Sequence, residues 1–164
     1  MRLKKLPPLS LLRELFECDA VRGVLTRKKS IGASRIGASV GTPNGFGYLI
    51  VVVSYKHYMA HRIVWAMSHG EDPFPAVIDH INGITSDNRI ANLRLATHAM
   101  NSLNTKLSKR NKTGEKGVYY DRSKGMWRAS IANKFIGRYR TKEEAARAYR
   151  DAALQRGGSF ARFE

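Results

Sequence analysis

Cysteine is almost absent from this chain. A single residue, Cys18, stands among 164, which excludes an internal disulfide framework and a cysteine-rich zinc site. Long apolar runs are missing too. No stretch approaches the roughly 20 residues that a membrane-crossing helix needs, so no membrane partner is expected. The opening MRLKKLPPLSLLRELF carries charges and prolines, without a long apolar core or a small-residue cleavage site, and is not expected to be a signal peptide. A cytoplasmic setting is the expectation. Acidic residues are scarce: 13 Asp and Glu face 29 Lys and Arg, a formal net charge of +16. That excess opposes self-association and favours a polyanion, and with membranes set aside the polyanion is nucleic acid. Charge alone does not separate an enzyme from a passive binder.

What is present is a hydrophobic fraction of 43%, enough for a packed core. A short helix is predicted from Leu9 to Glu17. Glycine-punctuated runs at 23–27, 36–42 and 47–53 read as strands, with Asn44-Gly45 as a turn pair. An arm at 58–61 leads into a helix whose Ala60, Ile63, Val64 and Met67 recur at helical spacing, ended by Gly70 and Pro73. Residues 71–105 form a polar, Asn-rich block. Residues 106–116, KLSKRNKTGEK, lack periodicity and read as a basic linker. Residues 117–164 read as strands at 117–121, 126–133 and 134–139. A helix follows, capped by Thr141, with a stripe of Ala145, Ala148, Tyr149, Ala152 and Ala153, and stopped by Gly157-Gly158. Between Lys106 and Arg150 stand fourteen basic and four acidic residues, so ten of the sixteen net charges fall there.

The segment VIDHINGITSDNRIANLRLATHAMNS, Val77 to Ser102, carries the candidate chemistry. Phosphodiester hydrolysis needs a base for water, a cation against the phosphate charge, and a scaffold for both. A strand at Val77-Ile78 delivers Asp79 and His80, a second returns at Leu93–Leu95, and Thr97 caps a helix that carries His98 and Asn101. A strand pair packed on that helix brings Asp79, His80, His98 and Asn101 together. Oxygen donors from Asp79 and Asn101 suit Mg²⁺ or Mn²⁺, and a neutral His80 suits a general base. Asn82, Asp87 and Asn88 read as turn formers. His61-Arg62 reads either as a phosphate contact or as structure at a helix start. His57 and His69 read as surface histidines, and Cys18 as a small apolar packer.

The pattern DHING…DN…NLR.AT…N, with the preceding AHRIVWAMSHG, resembles the ββα-metal motif of His-Asn-His homing endonucleases of the phage and intron-encoded type. The resemblance implies that His80 is the general base and that Asp79 and Asn101 bind one divalent metal. It implies that Asn92 holds the loop that aims His80, and that His98 contacts the phosphate or leaving group. The motif's third letter is Asn101 rather than His, which disfavours zinc. Residues 117–164 resemble the sheet-and-helix DNA-binding domain of plant ethylene-response factors (the APETALA type), through Gly117-Val118, Gly125-Met126-Trp127, Ile136-Gly137 and EEAARAY. That resemblance implies a sheet laid in the major groove.

The expected fold is α+β. N-terminal β-hairpins and a helix lead into the ββα-metal nuclease motif, followed by a small three-stranded antiparallel sheet packed on one helix. The expected domains are a nuclease region at 1–105 with its core at about 77–105, the linker at 106–116, and the DNA-binding domain at 117–164. Strand alternation sets Trp127, Ala129 and Ile131 towards the helix, and Arg128, Ser130 and Ala132 outward. The DNA-binding candidates are Lys106, Lys109, Arg110 and Lys112 in the linker, then Tyr119, Arg122, Lys124, Arg128, Ser130 and Lys134 on the sheet and its turns. The expected activity is metal-dependent cleavage of double-stranded DNA, as a nick or a double-strand break, with no small-molecule cofactor and in a host cytoplasm if the gene is phage-borne. Monomer and dimer both stay open. The first rival is a DNA-binding regulator that does not cleave; the second is an RNA-binding protein, which no aromatic base-stacking sheet motif supports.

Overall fold

The computed structural model describes residues 4–30 and 35–163. The first three residues of the opening stretch lie outside that range. The chain divides into two compact units, Met1–Ala96 and Thr97–Glu164. Both mix helices with small antiparallel sheets, so the fold is α+β. No helix among the described residues is long and apolar enough to cross a membrane.

The first unit opens with α1 (Leu9–Leu15), seven residues following Pro8. So short a helix is held by packing rather than propensity. Its Leu12 is fully buried. The helix ends two residues before the expected Glu17, because Phe16 turns extended and starts β1 (Phe16–Asp19). There Phe16 points inward and Glu17 and Asp19 outward, the period of a half-buried strand. β1 pairs with β2 (Val24–Arg27), which pairs with β3 (Ser39–Val40). The run expected as one strand at 36–42 is two short pieces. Gly41, at φ +128°, breaks it, and β4 (Thr42–Pro43) joins a different sheet with β5 (Leu49–Val53) and β6 (Lys56–Met59).

The helix α2 (Ala60–His69) begins one residue before His61, so His61 stands on the helix's first turn rather than on a strand. Ala60 to Ala66 are all buried, a wider face than the stripe predicted from four residues, while Met67 only borders the core. Leu12, Phe16, Leu25, Val51, Ile63 and Val64 form the centre of this unit. Gly70 closes α2 in the left-handed region, its N–H bonded to the Ala66 carbonyl at 2.9 Å. Arg62 then ties down the return. Its guanidinium donates to Ala76 O at 3.0 Å and pairs with Asp72 at 3.1 Å, while only 5% of the residue is exposed. Of the two readings of Arg62, this geometry supplies the structural one. The chain then enters β7 (Val77–His80), which pairs with β8 (Leu93–Ala96) in register Val77↔Ala96 to His80↔Leu93.

The second unit contains α3 (His98–Leu103), β9 (Val118–Asp121), β10 (Met126–Ile131), β11 (Lys134–Tyr139) and α4 (Lys142–Gly157). The sheet order is β11-β10-β9, all antiparallel. β10 stops at Ile131, two residues earlier than expected. Ala132 and Asn133 both take positive φ and form the hairpin turn, so Ala132 is not an outward strand residue. Thr141 and Glu144 form a reciprocal capping box at the start of α4. The buried face of α4 is Ala145, Ala146, Tyr149 and Ala153, packed with Val118, Ala129, Ile131 and Leu103. Ala148 and Ala152 are half-buried, at the margin of that stripe. Trp127 is half-buried against the same core.

Candidate active site

β7 places Asp79 and His80 next to each other at the end of the hairpin, and both are buried, at 3% and 4% exposure. Arg94 is the cross-strand partner of Asp79, and its Nε donates to Asp79 Oδ2 at 2.8 Å. His80 Nε2 lies 3.1 Å from Asn88 Oδ1. An amide oxygen only accepts, so Nε2 carries the proton and Nδ1 is the basic nitrogen of the ring. Burial pushes the His80 pKa below the ordinary histidine value, against the opposing effects of Asn88, Asp79 and Asp87. The ring is therefore neutral at pH 7, the form a base requires.

The loop between the strands is tied by Asn92. Its Nδ2 donates to Asn82 Oδ1 at 3.0 Å and to Asp87 O at 2.8 Å, and its Oδ1 accepts from Asn82 N at 3.0 Å. Asp87 accepts from Asn82 Nδ2 at 2.7 Å and from Arg89, which lowers its pKa to about 2. Asn88 thus sits in a fixed loop, 2% exposed. Gly23 presses on the loop from below. A Cβ there would stand 2.3 Å from the Asn88 carbonyl carbon, and its φ of +70° is left-handed, so only glycine fits without moving the loop. Ile90 N bonds Ala20 O at 2.9 Å in the same contact.

Thr97 caps α3 as the spacing predicts, its Oγ1 accepting from Met100 N at 3.2 Å. His98 is exposed and Asn101 half-buried on that helix. Leu103 of α3 belongs to the core of the second unit, so the helix is part of that unit. Asp79, His80 and Asn92 therefore stand together in the first unit, with His98 and Asn101 in the second. Residues 58–103 match the family described as HNH endonuclease. The match runs from Tyr58 through α2, β7, the 81–92 loop and β8 to the end of α3. Protein 3.8 of Escherichia phage T7 is 38% identical over 77 residues, covering 47% of this chain. The chain spans 64% of the length of that relative. No solved structure matches the chain.

Within the HNH segment the donors suit a hard divalent cation. Asp79 offers a carboxylate beside a neutral imidazole, and no group of three His, Cys, Asp or Glu side chains stands together among the described residues. A single carboxylate is compatible with a divalent cation that keeps most of its own waters. Sequence reasoning missed three neighbours of His80. Asn88 was read as a turn former, yet its side chain accepts from the His80 ring. His61 and Tyr48 also flank that ring, at centroid distances of 4.9 and 5.9 Å. His61 offered one signal: with Arg62 it precedes the unbroken apolar run Ile63–Met67 on α2.

The other candidates lie on the second unit. Lys106, Lys109, Arg110, Lys112, Arg122, Lys124 and Lys134 are exposed, Tyr119 is exposed, and Ser130 is half-buried. Arg128 is half-buried, its guanidinium 5.3 Å from the Tyr119 ring centroid and 5.2 Å from that of Phe135. Arg138, which faces Arg128 across β10 and β11, lies 5.3 Å from the Phe135 centroid. Phe135 and Arg138 were not singled out from the sequence, where they read as ordinary strand residues.

Proposed function

We propose that this protein is a metal-dependent HNH endonuclease of the homing type, cutting double-stranded DNA. The observation that carries this reading is His80. It is a neutral, buried imidazole with Nε2 on Asn88, next to Asp79 and inside the segment that matches HNH endonucleases. In this reading Nδ1 of His80 takes a proton from water. The hydroxide attacks phosphorus in line, the bond from phosphorus to the 3′ oxygen breaks, and the products carry 5′-phosphate and 3′-hydroxyl ends. Asp79 and Asn101 would hold the divalent cation, which when bound supplies charge neutralisation on the phosphate and the departing oxygen. Arg94 keeps the Asp79 carboxylate in one orientation. Asn92 holds the loop, and His98 contacts the phosphate or the leaving group.

The second unit, in the same reading, is the part that grips DNA, an ethylene-response-factor-like domain preceded by a basic stretch. Lys106, Lys109, Arg110 and Lys112 track phosphates. Tyr119, Arg122, Lys124, Arg128, Ser130 and Lys134 approach the groove from the sheet side. Cation-π contacts with the Tyr119 and Phe135 rings limit the swing of Arg128.

The test is incubation of purified protein with supercoiled plasmid in Mg²⁺, Mn²⁺ or EDTA. Conversion to open circle or linear DNA with either metal, and none in EDTA, is the expected outcome. Tight binding with no cutting in any condition, on plasmids carrying a library of inserted sites, would instead favour a regulator that does not cleave.

A further inference from the structure

Three aromatic rings meet around the base. Tyr48 and His61 lie 5.5 Å apart, Tyr48 and His80 5.9 Å, and His61 and His80 4.9 Å, the last pair edge to face at 83°. We propose that Tyr48 and His61 are positioning residues for His80, two ring walls that stop the imidazole from swinging about its bond to Asn88. The inference rests on the reading of His80 as the general base.

One hydrogen bond fixes one atom of a ring. A hydrogen bond at Nε2 leaves the broad energy well of an imidazole's terminal torsion in place, and each swing carries Nδ1 away from the water it must deprotonate. Edge-to-face contact with a second ring restricts that torsion, and contacts from two directions restrict it further. His61 is placed for this by α2, at 6% exposure. Its Nδ1 is buried with no hydrogen-bond partner among the described residues. A histidine so placed is a poor choice for mere core filling, since an apolar residue would leave no polar atom unsatisfied. Burial, then the nearby His80 and Arg62, depress its pKa to about 3, so it acts as a neutral ring and brings no charge to the site.

Tyr48 comes from outside the matched segment, on the turn that leads into β5. That turn is rigid. Asn44 Oδ1 accepts from Tyr48 N at 3.0 Å and from Phe46 N at 2.9 Å, and Asn44 N donates to Tyr48 O at 2.8 Å. It is also fastened to the loop that carries Asn88, because Thr85 Oγ1 donates to Phe46 O at 3.1 Å. Burial, and then the nearby charge of Asp79, raise the Tyr48 pKa. One connected set of contacts therefore fixes both the hydrogen-bond anchor of His80 and one of its walls.

The experiment compares full-length wild type with His61→Ala, His61→Phe, Tyr48→Leu, Tyr48→Phe and His80→Ala. Three readouts are taken: single-turnover plasmid cleavage, DNA affinity in EDTA, and histidine side-chain ¹H–¹⁵N spectra of the protein free of metal and DNA. Loss of a wall is expected to slow cleavage by about 10- to 100-fold while affinity in EDTA changes by less than about twofold. The phenylalanine variants, which keep a ring, recover most of that loss. The His80 ring signals shift or broaden in His61→Ala and Tyr48→Leu and stay near the wild-type positions in the phenylalanine variants. The inference is overturned if His61→Ala and Tyr48→Leu cleave at the wild-type rate, or if the phenylalanine variants cleave no better than the truncated ones. Should His61→Ala fail to fold, His61→Phe and the Tyr48 pair decide the matter by the same criteria. His80→Ala tests the underlying reading separately: if it cleaves like wild type, His80 is not the base, whatever the walls do.

Discussion

In the first unit His61, Arg62, Asp79, His80, Asn88 and Asn92 are all buried among core residues, whereas in the second Asn104 is the one buried polar side chain among those described. The second unit keeps its polar character outside. Its core is alanine, valine, isoleucine, one leucine and one tyrosine, and most of its basic residues are exposed around it. Burying a polar group costs free energy unless a partner compensates, and each of the first unit's partners is specific: Asp72 for Arg62, Arg94 for Asp79, Asn88 for His80. A region that accepts that cost holds its groups in fixed geometry, which chemistry at one phosphate requires. A region with exposed cations on a small-residue core suits a polyanion of any sequence. On the proposed reading the first unit supplies the base His80 and the carboxylate of Asp79, while the second supplies Asn101, His98 and the exposed cations that hold DNA.

The largest expected effect separates the two cores. Phe16→Ala empties a site that is 1% exposed in the first unit, and is expected to destabilise it by about 3–5 kcal/mol. Urea unfolding followed separately in the two units by amide NMR would show the loss in residues 1–96. Equal loss in both would show that the units do not unfold independently, and the comparison would weaken. Next comes replacement of Lys106, Lys109, Arg110 and Lys112 by alanine. If these track phosphates, the slope of log affinity against log salt falls by about 3–4, and binding weakens similarly for all sequences. Fluorescence anisotropy across a salt series measures it, and an unchanged slope would remove the linker from the holding surface.

A smaller effect belongs to His61. Its pKa is near 6.5 unfolded and about 3 folded. Between those values the unfolded chain binds a proton that the native state does not. This contribution to stability is fully present above pH 6.5 and is lost as pH falls towards 3, at up to about 1.4 kcal/mol per pH unit. His61→Phe should flatten that acid limb in denaturant titrations at pH 7, 6 and 5. An acid limb of the same steepness in the variant would mean that His61 is protonated in the native protein.

Much of the fold is legible in the sequence, for reasons that vary by element. The capping residues Thr97 and Thr141 sit where the sequence places them, because a cap is a local hydrogen bond between residues three apart. The α+β class follows from periodicity that changes along the chain. The strand at 36–42 was over-extended, since pairing partners, not propensity, decide where β3 ends and β4 begins. Asn88 was read as a turn residue because its hydrogen bond to His80 spans eight positions and depends on the loop held by Asn92. Tyr48 was invisible for a stronger reason. It lies 32 positions before His80, and only tertiary contact brings the rings together.

The most direct test of His80 as the general base is the single-turnover rate of plasmid cleavage in Mg²⁺ by His80→Ala and wild type, compared at protein concentrations that saturate the DNA. A general base supplies about 10²- to 10⁴-fold, so the variant should bind as wild type does and cut slower by that factor. Cleavage by His80→Ala at the wild-type rate would contradict the account.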